Sequence, residues 1–174
     1  DFFKGKMGQY FTPREVIRFC VEMLSPTKGD LVLDPACGSG GFLLNTLDMV
    51  RDFAERNYDE REAYMHWHNF AKDNLYGIEI NDQIARVCKM NMIIHDDGHT
   101  NVINTDSLDN FRDIETIHKG FQKDHFDIIL TNPPFGADVK ASEKDYLKNF
   151  ELGKKREKIR KSQSTEVLFI ERCI

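Results

Sequence analysis

Apolar positions along this chain alternate between two periods. Val16, Ile17, Cys20, Met23 and Leu24 recur at spacings of three and four, which predicts one buried face of a helix. Thr12-Pro13-Arg14-Glu15 places a capping hydroxyl, a proline at the first helical position and a glutamate at the third, so the helix is expected to begin near residue 12. Ser25-Pro26 ends it. The period then changes: Leu31-Val32-Leu33 is a short apolar run entering Asp34 and a glycine-rich stretch, Cys37-Gly38-Ser39-Gly40-Gly41. Phe42, Leu43, Leu44, Leu47 and Val50 follow with helical spacing. A second apolar run over residues 75–80 leads into Ile84, Val87, Cys88, Asn91 and Ile94, again at helical intervals. Residues 101–105 read as a third strand ending at Asp106, and residues 126–130 as a fourth running straight into Asn132. Strands alternating with helices predict an α/β fold with a doubly wound, mostly parallel sheet.

Two stretches interrupt that rhythm. Residues 55–74 are charged and aromatic, and read as a helical extension plus loop. Residues 138–163 read as a charged loop, with Lys154, Lys155, Arg156, Lys158, Arg160 and Lys161 near its end. Ser164 or Thr165 is placed to cap a last helix through Val167, Leu168 and Ile170. His66 and His68 flank Trp67, a pattern better explained by packing or surface than by metal ligation, and no metal site is expected.

The length of 174 residues suits one domain, covering residues 1–174. No run reaches the apolar length of a membrane helix and no signal peptide is visible, so a soluble, cytoplasmic chain without membrane contact is expected. Cys20, Cys37, Cys88 and Cys173 are scattered and form no Cys-x-x-Cys pair, which favours reduced thiols over zinc or disulfides. A net charge of −5 argues against a free-standing nucleic-acid binder, because phosphate contacts need clustered Lys and Arg. The start at Asp1 and the stop at Ile174 inside an apolar helical pattern suggest part of a longer protein, with further sheet strands missing at the C-terminal side.

Asp34, Glu79, Asp106 and Asn132 each end one of the four expected strands, where open parallel sheets bind ligands. Polar residues also follow strands simply because loops are wet, so each alone is weak evidence. Gly38, Gly40 and Gly41 permit a tight turn and close approach of a ligand. A dinucleotide fingerprint would need a further glycine where Leu43 stands, which disfavours a nicotinamide enzyme. Glu79 is suited to accept hydrogen bonds from both ribose hydroxyls of an adenosine, favouring a nucleoside-bearing cofactor. Asn132-Pro133-Pro134-Phe135 carries the chemistry. Two prolines remove two amide donors, so the carbonyls of Asn132 and Pro133 stay out of regular pairing. The Asn132 side-chain oxygen next to such a free backbone carbonyl makes a double acceptor for an exocyclic amino group, and Phe135 offers a ring face to a flat base. Alone, Asn-Pro-Pro is an ordinary turn breaker.

Together these residues resemble an amino-group DNA methyltransferase with the gamma order of motifs. Gly8-Gln9-Tyr10-Phe11-Thr12-Pro13 resembles the segment before the cofactor loop in modification subunits of type I restriction-modification systems. Residues 34–42, 77–81 and 105–108 resemble that family's cofactor loop, ribose-binding strand end and adenine-side segment, and residues 164–171 the helix after the catalytic motif. The resemblance implies a Rossmann-like, S-adenosylmethionine-dependent fold that methylates the N6 amino group of adenine flipped from double-stranded DNA. It implies cofactor contacts from Gln9, Tyr10, Phe11, Thr12, Pro13, Asp34, Gly38, Ser39, Gly40, Gly41, Glu79, Asp106 and Ser107, with Asn132, Pro133, Pro134 and Phe135 at the target base. It further implies a separate specificity subunit, leaves room for a restriction subunit, and points to a bacterial or archaeal cell. Methylation of a protein glutamine or an RNA amino group, and a non-catalytic scaffold that kept the fold, are the alternatives.

Overall fold

The computed structural model describes residues 11–95, 101–142, 145–156 and 158–174. Four parallel strands form the central sheet: β1 (Val32–Asp34), β2 (Leu75–Glu79), β3 (Val102–Asn104) and β4 (Ile128–Ile129), in the order β3-β2-β1-β4. Val32 is in register with Leu75 on one side and Ile128 on the other. Every residue of β1 and β2 is buried, as expected of parallel strands covered on both faces. Strand alternation divides their side chains between two cores. Val32, Leu75 and Val102 pack beneath α1 (Arg14–Leu24), α2 (Gly41–Asn57), α3 (Glu60–Asn74) and α4 (Asp82–Ile94), while Leu33, Tyr76, Ile78 and Ile103 face α5 (Phe111–Ile117) and Phe121. α6 (Thr165–Cys173) closes a smaller cluster through Leu168 and Phe169, against Leu108, Leu147 and Phe150.

The helix expected from residue 12 begins at Arg14. Pro13 occupies the capping position with its carbonyl accepting from Val16 and Ile17, and no side chain caps the helix. Its buried face is Ile17 and Val21, with Cys20 half-buried; Val16, Met23 and Leu24 are exposed, contrary to the spacing argument. The helical period identifies a stripe, but the packing partner chooses which edge of it is covered. α4 shows the same shift, burying Ala85, Cys88 and Met92 while Val87 and Ile94 face outward. Ser164 stands at the capping position of α6 without donating or accepting a cap hydrogen bond.

The helical extension expected in residues 55–74 is present, but a second helix stands in place of the loop. α2 runs to Asn57 and α3 follows after only two residues, capped by the Asp59 carboxylate accepting from the Glu62 amide. The two form an antiparallel hairpin joined through the small residues Ala54 and Ala63 and anchored by Trp67, over which the Arg51 guanidinium lies 4.1 Å from the ring centroid. His66 and His68 belong to this aromatic surface, tilted against Tyr58 and stacked on Tyr64 respectively. Residues 138–163 likewise carry structure where a loop was expected. β5 (Asp138–Lys140) pairs antiparallel with β8 (Ser162–Ser164), and β6 (Lys154–Lys155) with β7 (Lys158–Ile159). No helix among the described residues is long and apolar enough to cross a membrane.

Candidate active site at the carboxyl ends of the strands

Strand order reverses at β1: the chain passes outward to β2 and β3, then returns to β4 on the other side. The crevice outside the carboxyl ends of β1 and β4 is therefore the topological switch point, where open parallel sheets take their ligands. The glycine loop leaves β1 there, and Asn132 leaves β4 there. Two further cavities lie elsewhere, one against Tyr58, Tyr64 and Trp67 and one against Phe111, Phe126 and Phe150. Neither contains a strand-end residue of this group.

The loop after β1 is tied down by its backbone. Cys37 N–H donates to the Ile78 carbonyl at 2.9 Å, and Gly40 N–H to the Cys37 carbonyl at 2.8 Å. Gly38 and Gly40 adopt left-handed φ values of 52° and 92°, which a side chain would strain. A Cβ at Gly40 would stand 2.9 Å from Cys88 Sγ, whereas one at Gly38 would meet nothing within 4 Å. Gly40 thus serves packing, and Gly38 exposes backbone to the crevice. Gly41 opens α2, whose N-terminus has no side-chain cap, leaving amides of the first turn directed outward. The Ser39 carbonyl is held by Asn91 Nδ2 at 2.9 Å. Asn91 stands on the apolar face of α4, a polar interruption that was the available sign of this role.

Glu79 ends β2 and is buried. Its Oε2 accepts from Gly38 N–H at 3.1 Å and its Oε1 from Asn81 N–H at 2.8 Å, so one carboxylate braces both the glycine loop and the start of α4. Asn104 fixes the same strand end from β3, donating to the Glu79 and Ile80 carbonyls at 2.8 and 3.0 Å. Asp106 is half-buried and accepts from Leu108 N–H at 3.0 Å. Ser107 is buried and its hydroxyl donates to the Pro35 carbonyl, so its place is in holding the Asp34-Pro35 turn rather than at an open surface.

Asp34 also faces inward. Burial pushes its carboxyl up to about 7, against the opposing effects of the nearby Thr131 hydroxyl, which lies outside hydrogen-bond geometry, and the Ala36 amide. The folded value lies above the ordinary 3.8, so the fold retains a proton that the unfolded chain has released. Stability from this group is therefore lost as pH rises from about 4 to about 7 and is flat above. Asp34→Asn, which keeps an acceptor for Ala36, should gain stability relative to the wild type between about pH 5 and about pH 8 in urea unfolding; an unchanged gap would contradict the assignment.

Cys37 and Cys88 lie with sulfurs 3.8 Å apart, both buried, and this hydrogen bond together with burial pushes the Cys37 thiol well above its usual range. Such a thiol is a poor nucleophile.

Asn132 and Pro133 are half-buried, and Pro134 and Phe135 are exposed, Phe135 by 57%. Asn132 Nδ2 donates to Thr12 Oγ1 at 3.0 Å, across 120 positions of sequence. The hydroxyl expected to cap α1 is thus diverted to the strand-end asparagine. Phe11 and Pro13 flank it, both exposed; Gln9 and Tyr10 lie outside the described residues.

A profile of the N-6 DNA methylase family matches residues 3–174. The methylase subunit of the type I restriction enzyme EcoEI from Escherichia coli is 32% identical over 148 residues, covering 84% of this chain and 26% of that protein. The type I MjaVII methylase subunit of Methanocaldococcus jannaschii is 36% identical over 137 residues, covering 78% of this chain and 20% of its own length. A crystallised modification subunit classed with the type I restriction enzymes of Vibrio vulnificus YJ016 superposes with a TM-score of 0.71 at 30% identity, over 97% of this chain and 31% of that one. The chain spans about a quarter of the EcoEI subunit. With its glycine loop, Glu79 and Asn-Pro-Pro-Phe gathered at one crevice and nearly its whole length matched by the profile, this chain belongs to the N-6 DNA methylase family.

Proposed function

We propose that this domain transfers a methyl group from S-adenosylmethionine to the N6 amino group of adenine in DNA, within a type I restriction-modification assembly. The observation that carries it is Asn132, held through Nδ2 by Thr12 at the end of β4, beside the Pro133 carbonyl and on the same crevice as Glu79 and the glycine loop. The names of the relatives support the substrate.

The residues present fit the cofactor. Each Glu79 oxygen uses one lone pair on a backbone amide and keeps another for a ribose hydroxyl. The open backbone at Gly38 and the uncapped amides of α2 suit the amino-acid end, whose carboxylate is an anion. When bound, the sulfonium supplies an electrophilic methyl group. Asn132 Oδ1 and the Pro133 carbonyl accept the two N–H bonds of the target amine, drawing its delocalised lone pair out of the ring and stabilising the positive charge that develops. Phe135 stacks on the extruded base, contributing about 1–3 kcal/mol against an extrusion cost of a few kcal/mol. Positioning accounts for most of the remainder, with no covalent intermediate.

Incubating the full-length protein in its complex with labelled cofactor and DNA, then analysing nucleosides by mass, tests the reading. N6-methyladenine supports it; label recovered in protein glutamine or RNA, or no transfer, replaces it with one of the alternatives.

The charged segment supplies a way to grip the backbone despite the chain's net charge of −5. β5 starts three residues beyond Phe135, and its partner β8 follows the β6–β7 hairpin; Lys155, Arg156 and Lys158 in that hairpin and Lys161 just after it are all exposed. Neutralising these four should reduce the magnitude of the salt slope of DNA binding by about 1 to 3 while leaving cofactor affinity unchanged. An unchanged slope would make the hairpin a solvated face only.

A further inference from the structure

Four short polar side chains at strand ends, turns and helix starts of this chain make the same local turn, whereas Asn57, Asn74 and Asn104 engage Nδ2 with a carbonyl instead. Asp34, Asn81, Asp106 and Asn110 each turn Oδ1 back to accept the backbone N–H two residues on, from Ala36, Gln83, Leu108 and Arg112, each at 3.0 Å. This local turn consumes the oxygen. Asn132 cannot make it, because the residue two positions on is Pro134, which has no N–H. Among the described residues its amide is engaged instead through nitrogen, donating to Thr12 Oγ1 at 3.0 Å.

We infer that Thr12 is a positioning residue, which together with the missing amide at Pro134 keeps Asn132 Oδ1 turned outward as an acceptor. The inference rests on the proposed methyl transfer to an amino group. An asparagine amide has two orientations related by a half-turn about its last bond. With Nδ2 on Thr12, the oxygen is presented to the crevice. In the other, two N–H groups of Asn132 would face the N–H groups of the target amine. Thr12 Oγ1 accepts from Nδ2 and fixes the place of the amide, and because a hydroxyl can also donate, it is the missing local N–H at Pro134 that leaves Oδ1 free to be the outward end. Thr12 reaches Asn132 from just before α1, in the stretch 9–13 that resembles a cofactor-binding segment, so the hydrogen bond also joins two parts of the site that lie 120 positions apart in sequence.

The test uses Thr12→Val, Thr12→Ser and Pro134→Ala in the full-length methyltransferase complex, followed by single-turnover rate at saturating cofactor and by cofactor affinity from calorimetry. Thr12→Val is expected to slow transfer by about ten- to a hundredfold with affinity held within about threefold, and Thr12→Ser to recover most of the rate. Pro134→Ala should slow transfer with the same affinity signature, because it restores an N–H that Oδ1 can accept from. In an Asn132→Ala background, Thr12→Val should cost nothing further. A wild-type rate in both Thr12→Val and Pro134→Ala overturns the inference, as does a Thr12→Val defect that appears only in cofactor affinity. Absence of N6-methyladenine with the wild-type complex would instead remove the functional reading beneath it.

Discussion

Asn132→Ala is expected to lower single-turnover methyl transfer by roughly a thousandfold while cofactor affinity changes by less than about threefold. The substitution deletes the side-chain oxygen that accepts from the target amine and leaves the Pro133 carbonyl as a lone acceptor. One acceptor cannot draw both N–H bonds out of the base plane, so the lone pair stays in the ring. The loss falls on the transition state, where positive charge grows on nitrogen, more than on ground-state binding. Affinity is spared because Glu79 and the glycine loop hang from β1 and β2 and are braced by each other, while Asn132 is held from Thr12. Rapid-mix transfer assays and calorimetry on the intact complex measure the two quantities. Full retention of N6-methyladenine formation would remove Asn132 from the reaction.

Glu79 should fail in the opposite way. Both carboxylate oxygens accept from backbone amides, Gly38 at 3.1 Å and Asn81 at 2.8 Å, so the side chain is an acceptor on both sides. Glu79→Gln places an N–H donor against one of those donors, and Glu79→Ala orphans both. Either change unsettles the glycine loop and removes acceptors proposed for the ribose hydroxyls. Cofactor affinity is expected to fall by about ten- to a hundredfold for Gln and about a hundredfold or more for Ala, at roughly 1–3 kcal/mol per orphaned buried donor. Thermal stability should fall with it. With cofactor raised to saturation, the single-turnover rate should return most of the way, which separates this residue from Asn132. Wild-type affinity in Glu79→Ala would show that the carboxylate is purely internal.

The strand ends were legible because they depend on local chemistry. Short runs rich in Val, Ile and Leu that stop at a carboxylate or amide mark where a buried strand meets a loop: β1 and β2 end at Asp34 and Glu79 as expected, whereas β3 ends at Asn104, two residues before Asp106, and β4 shortens to Ile128–Ile129, three residues before Asn132. Helix faces were less legible. Val16, Met23 and Leu24 carry the helical period as well as Ile17 and Val21 do, and only the position of α2 decides that the latter pair is covered. The segment 138–163 hid its strands for a related reason. Each is two or three residues long and polar, and what stabilises it is a partner strand, such as Ser162–Ser164 against Asp138–Lys140, that no periodicity announces.

For the site, residue type and order already specified a double acceptor at Asn132 and Pro133, a glycine turn after the first strand and an acidic residue after the second. These follow from missing amides, positive φ and carboxylate lone pairs, which belong to single residues. The tertiary structure decided everything that requires two distant segments to meet. The order β3-β2-β1-β4 brings β1 and β4 side by side, placing the glycine loop and Asn132 on one crevice. Asp34 and Ser107, which resemble cofactor contacts in sequence, are turned inward to brace the turn, and Thr12, which reads as a helix cap, becomes the partner of Asn132. A hydroxyl or carboxylate has several competing partners within reach of its own backbone, and only the packed fold determines which of them is present.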